Sequence, residues 1–445
     1  MVFGSSRARS VQKFALWLLL VLATAQAALA VSNVNANFSP QRRVGYTTGD
    51  QWEPALAADG HGHIYILFPQ YGAVNDCPAC TAPTIALLVS NDNGLSWEAP
   101  HALVPSSTGQ FDPQIVVDPV DRQTVYASWL QDNKRDVMVA RSQDFGRSWY
   151  LSAAASAPDD ADKPVLAVHG ADVYVGFNHE QNFLVAASHD YAQTFASAVV
   201  NPGAEPGWSL AGGATVDSTG DVYFSWSAYG LRESRTRPVS LYVSRSADAG
   251  RSWNTVLLDT SGAPPDCVAE GCEAGYLGAQ IALASDAAGT LYALWNAGAM
   301  NGGPERVYFS SSTTGGASWS LKADVSFADN RTEHCFPAIT AGVAGDVRIA
   351  WMDARKHTLL SHALPEQPLW NVFERSSSNG GATWSPETQI SGPARGYDYI
   401  LPEGFRFPFG DYFSIAIDNL GATHVVWGEG RNYKSPGSIW YSRGR

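Results

Sequence analysis

Ser246-Ala247-Asp248-Ala249-Gly250-Arg251-Ser252-Trp253 is one of six variants of a single octapeptide, and that recurrence decides the fold. The other copies begin at Ser90 (SNDNGLSW), Ser142 (SQDFGRSW), Ser188 (SHDYAQTF), Ser312 (STTGGASW) and Ser377 (SSNGGATW). Each opens on Ser, carries a small polar residue two places later, and closes with Ser or Thr followed by an aromatic. This is a turn between two strands. A short Asp or Asn side chain bonds nearby backbone N–H groups, and Gly at the fifth place supplies a positive φ that a Cβ disfavours. The Ser188 copy has Ala192 for Gly and Phe195 for Trp, and is expected to be the loosest.

The pattern resembles the Asp box, or BNR repeat, of the sialidase superfamily, over nearly all of the chain beyond its first thirty residues. The resemblance implies a β-propeller in which the box is a structural turn on the side away from the substrate. Asp92, Asp144 and Asp248 are therefore expected to be turn formers rather than catalytic acids.

A second repeat runs in step with the first. Each unit has a short apolar strand, a turn, and a second strand of the form aromatic-x-x-Trp or a near relative. Examples are Tyr126…Trp129, Tyr223…Trp226, Tyr292…Trp295, Arg348…Trp351 and His424…Trp427. A third strand leads into the box and a fourth follows it. This gives seven units for six boxes. The last unit stops at its third strand, Ser438–Ser442, while residues Phe38–Tyr46 offer a strand to spare. Pairing the two closes a ring and removes an open sheet edge. The expectation is an all-β, seven-bladed propeller of four-stranded antiparallel blades closed by the N-terminal strand, with the six blades of sialidases as the alternative. Residues 31–445 form a single domain on this reading.

Arg7, Arg9 and Lys13 precede an apolar run, Phe14–Ala25, and Ala28-Leu29-Ala30 offers a cleavage site, so residues 1–30 read as a signal peptide. The run is short for a membrane span. Its removal takes the formal charge from −13 to −16. So acidic a chain is a poor partner for nucleic acid or anionic lipid. A secreted or periplasmic monomer with no membrane insertion is expected. Asn37-Phe38-Ser39 and Asn330-Arg331-Thr332 fit the glycosylation sequon. The chain has five Cys. Cys77 with Cys80 and Cys267 with Cys272 are placed for local disulfides, leaving Cys335 free. A metal site at Cys335 and His334 is the competing reading, with its ligands in distant loops. No metal and no cofactor is expected, and the lack of a phosphate loop and of a nucleophile elbow argues against nucleotide or esterase chemistry.

With the boxes between strands three and four, the loops after strand two and before strand one emerge on the opposite face, together with all five Cys. Candidate catalytic residues there are Asp353, Glu429, Asp411 and Glu53. Trp351-Met352-Asp353-Ala354-Arg355 and Trp427-Gly428-Glu429-Gly430-Arg431 each set a carboxylate and an Arg two apart, on one side of a strand. Such a pair suits a sugar acid, and acids on adjacent blades suit acid and base roles at a glycosidic bond. A rim salt bridge is the structural reading of the same pairs. Substrate-binding candidates are Arg355, Arg431, Tyr412, His179, Glu180, Asp132, Asp112 and Trp52, and Asp162 and Lys163 lie on the same face. The resemblance further implies three Arg for a substrate carboxylate and an Arg-Ile-Pro motif. This chain has no Arg-Ile-Pro; its N-terminal Arg residues are Arg42 and Arg43. Two functions remain: a glycoside hydrolase or polysaccharide-cleaving enzyme acting on a glycan or acidic polysaccharide, and a non-catalytic propeller that binds a glycan or a protein.

Overall fold

The computed structural model describes residues 38–156, 161–179, 182–201, 208–229, 237–265, 276–358, 367–394, 409–430 and 436–444, without the side chains of 356–358 and 367–368. The signal-peptide reading, Asn37, Cys267 and Cys272 lie outside these residues. Among the described residues, no helix is long and apolar enough to cross a membrane.

Seven antiparallel sheets follow one another along the chain as the blades of a propeller. In the second blade the strands run Gln110–Val117, Val125–Gln131, Asp136–Ser142 and Tyr150–Ser156 from the axis outward. The seventh blade is made from both ends of the chain. Its strands Ser414–Ile417, Thr423–Gly430 and Gly437–Arg443 are completed on the outside by Arg42–Val44. Arg42 faces Tyr441 and Val44 faces Ile439, so the expected ring closure is present.

The second strands carry the core. Trp129, Trp226, Trp295, Trp351 and Trp427 are at most 1 % exposed. Each fills the space between neighbouring sheets, as where Trp129 packs in one cluster with Leu67 and Leu87 of the first blade. Burying an aromatic of this size contributes roughly 1.5–3 kcal/mol. The Tyr three residues earlier needs a partner for its hydroxyl when buried. Tyr65, Tyr223 and Tyr292 donate to Asp59, Asp217 and Asp286 at 2.9, 2.9 and 2.7 Å, which ties each second strand to the turn before it.

The box turns have a common geometry. In the first, Ser90 Oγ donates to Asp92 Oδ1 at 2.8 Å, and Asp92 accepts from the N–H and hydroxyl of Ser96 at 2.8 and 2.6 Å. The Ser188 copy is not looser in its hydrogen bonds. Asp190 accepts from Ser188 at 2.7 Å and from the N–H and hydroxyl of Thr194 at 2.9 and 2.6 Å, while Ala192 takes φ 64° in place of a glycine. The polar side chain at the third place sets the turn, also where it is Thr314 or Asn379, and the fifth residue only has to follow. Ile64 faces Ser90 across the first and Val347 faces Ser377 across the sixth blade, so the boxes sit at the starts of the second strands. Asp353 faces Asn371 near the far end, on the face opposite the boxes.

Cys77 and Cys80 form a disulfide, and Cys335 is a buried free thiol. Cys335 is not in a loop as expected. It belongs to the innermost strand of the sixth blade, His334–Ala341, because the chain pairs with Met352 before it bends.

Candidate functional site on the propeller axis

Four of the innermost strands begin with the same backbone irregularity, a residue with positive φ directly before a proline. These are Glu53-Pro54 (φ 49°), Asp112-Pro113 (φ 53°), Lys163-Pro164 (φ 47°) and Phe336-Pro337 (φ 54°). The residue before proline ordinarily adopts an extended conformation, and a non-glycine left-handed residue is strained. The strand register shifts at each place in the second, third and sixth blades, between Phe111 and Gln114, Asp162 and Val165, and Cys335 and Ala338. Phe336 shows that the bend serves the architecture whatever side chain it carries. In the first three blades the same bend carries Glu, Asp and Lys.

These side chains meet around the axis with Asp162 and Asp411. Asp411 hydrogen-bonds Glu53, and Asp162 hydrogen-bonds Asp112. In each pair one acid is deep and the other more open: Glu53 is 2 % exposed, and the side chain of Asp411 is 28 % exposed. The side chains of Asp112 and Asp162 are 10 % and 22 % exposed. Lys134 lies 3.0 Å from Asp162 and 3.5 Å from Asp112. Lys163 reaches across the axis to Gln280 at 3.5 Å and to the carbonyl of Asp411 at 3.4 Å, with its ammonium 5.0 Å from the centre of the Tyr412 ring. Tyr412 in turn donates to the carbonyl of Pro113 at 3.3 Å.

The pairs are electrostatically unequal. Burial pushes the Glu53 carboxyl well above the usual glutamate range, and the charges of Asp411 and Asp112 add to it. Burial likewise raises Asp112 to about 7 against the opposing charge of Lys134. Burial alone would raise Asp162 too, but the charge of Lys134 and hydrogen bonds from Asp112 and Lys134 bring it below the ordinary aspartate value. Burial and charge therefore shift Asp112 and Asp162, which stand side by side, in opposite directions. Burial and the nearby acids push Tyr71 and Tyr412 far up, so both remain phenols.

Glu53, Asp411, Asp112 and Tyr412 thus come together, as residues chosen from sequence, with Asp162 and Lys163. Asp132 begins, at φ 51°, a left-handed run through Asn133 and Lys134, and it is Lys134 that reaches the acids. Lys134 had no signal in the sequence. The X-Pro dipeptides at corresponding positions of four blades were an available signal for the axis.

Asp353 and Glu429 belong to different networks. Asp353 is fully buried, accepts from the indole N–H of Trp351 at 3.0 Å and from Arg355 Nε at 2.8 Å, and lies 3.7 Å from His334. Arg355 also bonds Glu387 and lies 3.7 Å from the centre of the Phe373 ring, so its contacts are internal to the sixth blade. Glu429, 3 % exposed, accepts from the indole of Trp427 at 2.7 Å and from Gln41 at 3.3 Å. Trp129 makes the same bond to Gln131 at 3.2 Å. The polar residue two places after the strand-two Trp is thus a partner for its indole. Trp52 is fully buried at the seam with the seventh blade, where a Cβ on Gly437 would come within 2.1 Å of its ring. His179 ends a strand beside Ala161 and is partly buried. Glu180 and Arg431 lie outside the described residues.

Fold and turns define the chain as a seven-bladed β-propeller with recurring Ser-Asp-Gly type turns between the third and fourth strands of its blades. No protein-family model and no curated protein matches its sequence. Among solved structures it is similar to a protein of unknown function from Dyadobacter fermentans, with 14 % identity and a TM-score of 0.49 over 91 % of this chain and 99 % of that one. An ulvan lyase, described as a new family of polysaccharide lyase, shares 13 % identity at a TM-score of 0.47, over 89 % of this chain and 95 % of its own. A Trypanosoma rangeli sialidase solved with sialic acid shares 10 % identity at 0.47, over 92 % of this chain and 59 % of its own. Likenesses this distant carry no residue role to this chain.

Proposed function

We propose that the protein acts on carbohydrate in the axial recess and cleaves a glycosidic bond between the two acid pairs. The Glu53–Asp411 pair supplies a proton to the leaving oxygen, with the buried Glu53 as the group that holds it. Asp162, kept ionised, is the carboxylate on the other side, as base towards water or as nucleophile. The observation that carries this reading is the juxtaposition of two deep acids, Glu53 and Asp112, with more open partners at a strained bend that three adjacent blades share. Glycoside cleavage needs one carboxyl group as acid and one as carboxylate, and unequal environments assign those roles. Asp353 and Glu429 are left to the blades. The leader sequence and the Cys77–Cys80 disulfide favour export, since disulfides persist in oxidising compartments.

The test is a screen of the purified chain against sialosides and against neutral and acidic polysaccharides, with Asp411→Asn and Asp162→Asn alongside. Cleavage that collapses in both variants supports the reading. A glycan that is bound and never cleaved replaces it with the binding reading, and cleavage that survives both substitutions removes the site assignment.

A further inference from the structure

Lys134 is held unusually for an exposed-loop lysine. Asp132, Asn133 and Lys134 take φ 51°, 56° and 62°, three left-handed non-glycine residues in succession. Each such residue costs of order 1 kcal/mol and persists only where its surroundings over-determine it. The surroundings here are identifiable. The N–H of Asp132 donates to Thr108 Oγ1 at 3.3 Å, and the N–H of Arg135 returns to the carbonyl of Asp132 at 3.2 Å. Beyond the run, the carbonyl of Lys134 accepts from the N–H of Ala161 at 2.8 Å, one residue before Asp162. The lysine side chain then lies near the Phe111 ring, 5.8 Å from its centre, and ends between Asp112 and Asp162. Its backbone is thus tied to the strand that carries one acid, and its ammonium touches both.

We propose that Lys134 is a positioning residue: held by this left-handed run, its ammonium keeps Asp162 as the carboxylate and leaves the shared proton on Asp112. The inference deepens the glycoside-cleaving reading of the same recess and rests on it for its consequence in catalysis, but the proton arrangement itself is a property of the chain. Its geometry is unequal in the required sense, since Asp162 receives the shorter contact, 3.0 against 3.5 Å. Among the described residues, the other groups facing the pair are Asp411 and the phenol of Tyr412 from the seventh blade, Lys163 from the third, and Glu53 and the phenol of Tyr71 from the first. Lys163 is the one further cation among them, and it is engaged with Gln280 and Asp411. Lys134 is therefore the group whose removal reverses the balance.

The experiment is a titration of the full chain labelled with 13C at the aspartate carboxyl carbons, with the resonances assigned through Asp112→Asn and Asp162→Asn. Lys134→Met is compared with Lys134→Arg, and Thr108→Val removes the tie to Asp132 while leaving the ammonium. In the native chain Asp162 titrates below Asp112. In Lys134→Met the Asp162 midpoint rises by more than one pH unit, Lys134→Arg keeps it low, and Thr108→Val gives a smaller rise. An unchanged Asp162 midpoint in both Lys134→Met and Thr108→Val overturns the proposal, and folding of each variant is read from the rest of the same spectrum. If Lys134→Met does not fold, Thr108→Val decides on the same criterion. Where a cleaved glycan is found, the acid limb of the pH–rate profile moves up with the Asp162 midpoint. Absence of any cleavage counts against the enzymatic reading alone, because the titration needs no substrate.

Discussion

The protein places acids in two kinds of setting, and the contrast is what sets the proposed site apart from the scaffold. Asp353 and Glu429 point into blades, each satisfied by the indole two residues earlier and by further donors. The axial acids instead face one another and two lysines, Lys134 and Lys163. A carboxylate that accepts from Trp and Arg has a fixed charge and a fixed neighbour, which suits a strut. Carboxyl groups that share protons are poised to exchange them, which suits chemistry. The hydrogen bonds decide this; proximity to the rim does not.

The sharpest way to break the contrast is to remove a proton from the axis without removing a contact. Asp411→Asn is expected to lower the rate of glycan cleavage by roughly 10²–10⁴-fold, the usual range for a lost general acid, while the thermal midpoint stays close to that of the native chain. Equal loss of activity in Asp353→Asn, measured per folded molecule, would erase the distinction. Asp353→Ala should act on the other quantity. It leaves Arg355 and the Trp351 indole short of a buried acceptor, and breaking such a pair costs roughly 3–5 kcal/mol. Urea unfolding reads that loss, and a cost under about 1 kcal/mol would return Asp353 to the candidates for chemistry.

How much of this was legible follows from what repeats. The six octapeptides and the strand-two aromatics recur at each blade, so the blade count, the ring closure and the face opposite the boxes could be read directly. The same repetition also drew the choice of site residues towards the strand-two acids. Asp353-Ala-Arg355 and Glu429-Gly-Arg431 drew attention because they recur, and what recurs at Trp351, Trp427 and Trp129 is the capping of an indole. Glu53, Asp112 and Asp411 were named, but only as three of a dozen candidates, since their pairing depends on which blades face each other across the axis. Lys134 was out of reach because its placement depends on three left-handed residues in an ordinary loop, Asp132-Asn133-Lys134, with no glycine to mark them.

Glu374 supplies a third setting, an acid buried in a blade with no indole and no direct donor. It is fully buried in the third strand of the sixth blade, and among the described residues neither carboxyl oxygen has a hydrogen-bond partner. Burial raises it to about 8, although the charges of Arg348 and Arg375 work against that. The folded chain therefore keeps a proton that the unfolded chain loses near pH 4–5. Its contribution to stability is present below that range, falls as pH rises towards 8, and is level beyond. Glu374→Gln is expected to be more stable than the native chain at pH 8 by roughly 2 kcal/mol, a discounted fraction of the 1.36 kcal/mol per pH unit that such a proton carries. The two should converge near pH 4. Parallel stability curves for the two proteins from pH 4 to 8 would show that Glu374 is ionised in the fold and has partners.

The smallest effect isolates charge from hydrogen bonding in the strand-two setting. Gln131 bonds the Trp129 indole at 3.2 Å, at the position Asp353 and Glu429 occupy in their blades, but it is neutral and partly exposed. Gln131→Met removes the acceptor and keeps the length of the side chain. The expected loss is about 1 kcal/mol, the ordinary net value of one hydrogen bond, with water able to take over part of it at the exposed edge. A loss as large as that of Asp353→Ala would mean that the indole contact, common to all three, dominates and that the charge of Arg355 adds nothing. A loss near 1 kcal/mol assigns the excess at Asp353 to a buried ion pair, which is why an acid there must keep its charge and an acid on the axis need not.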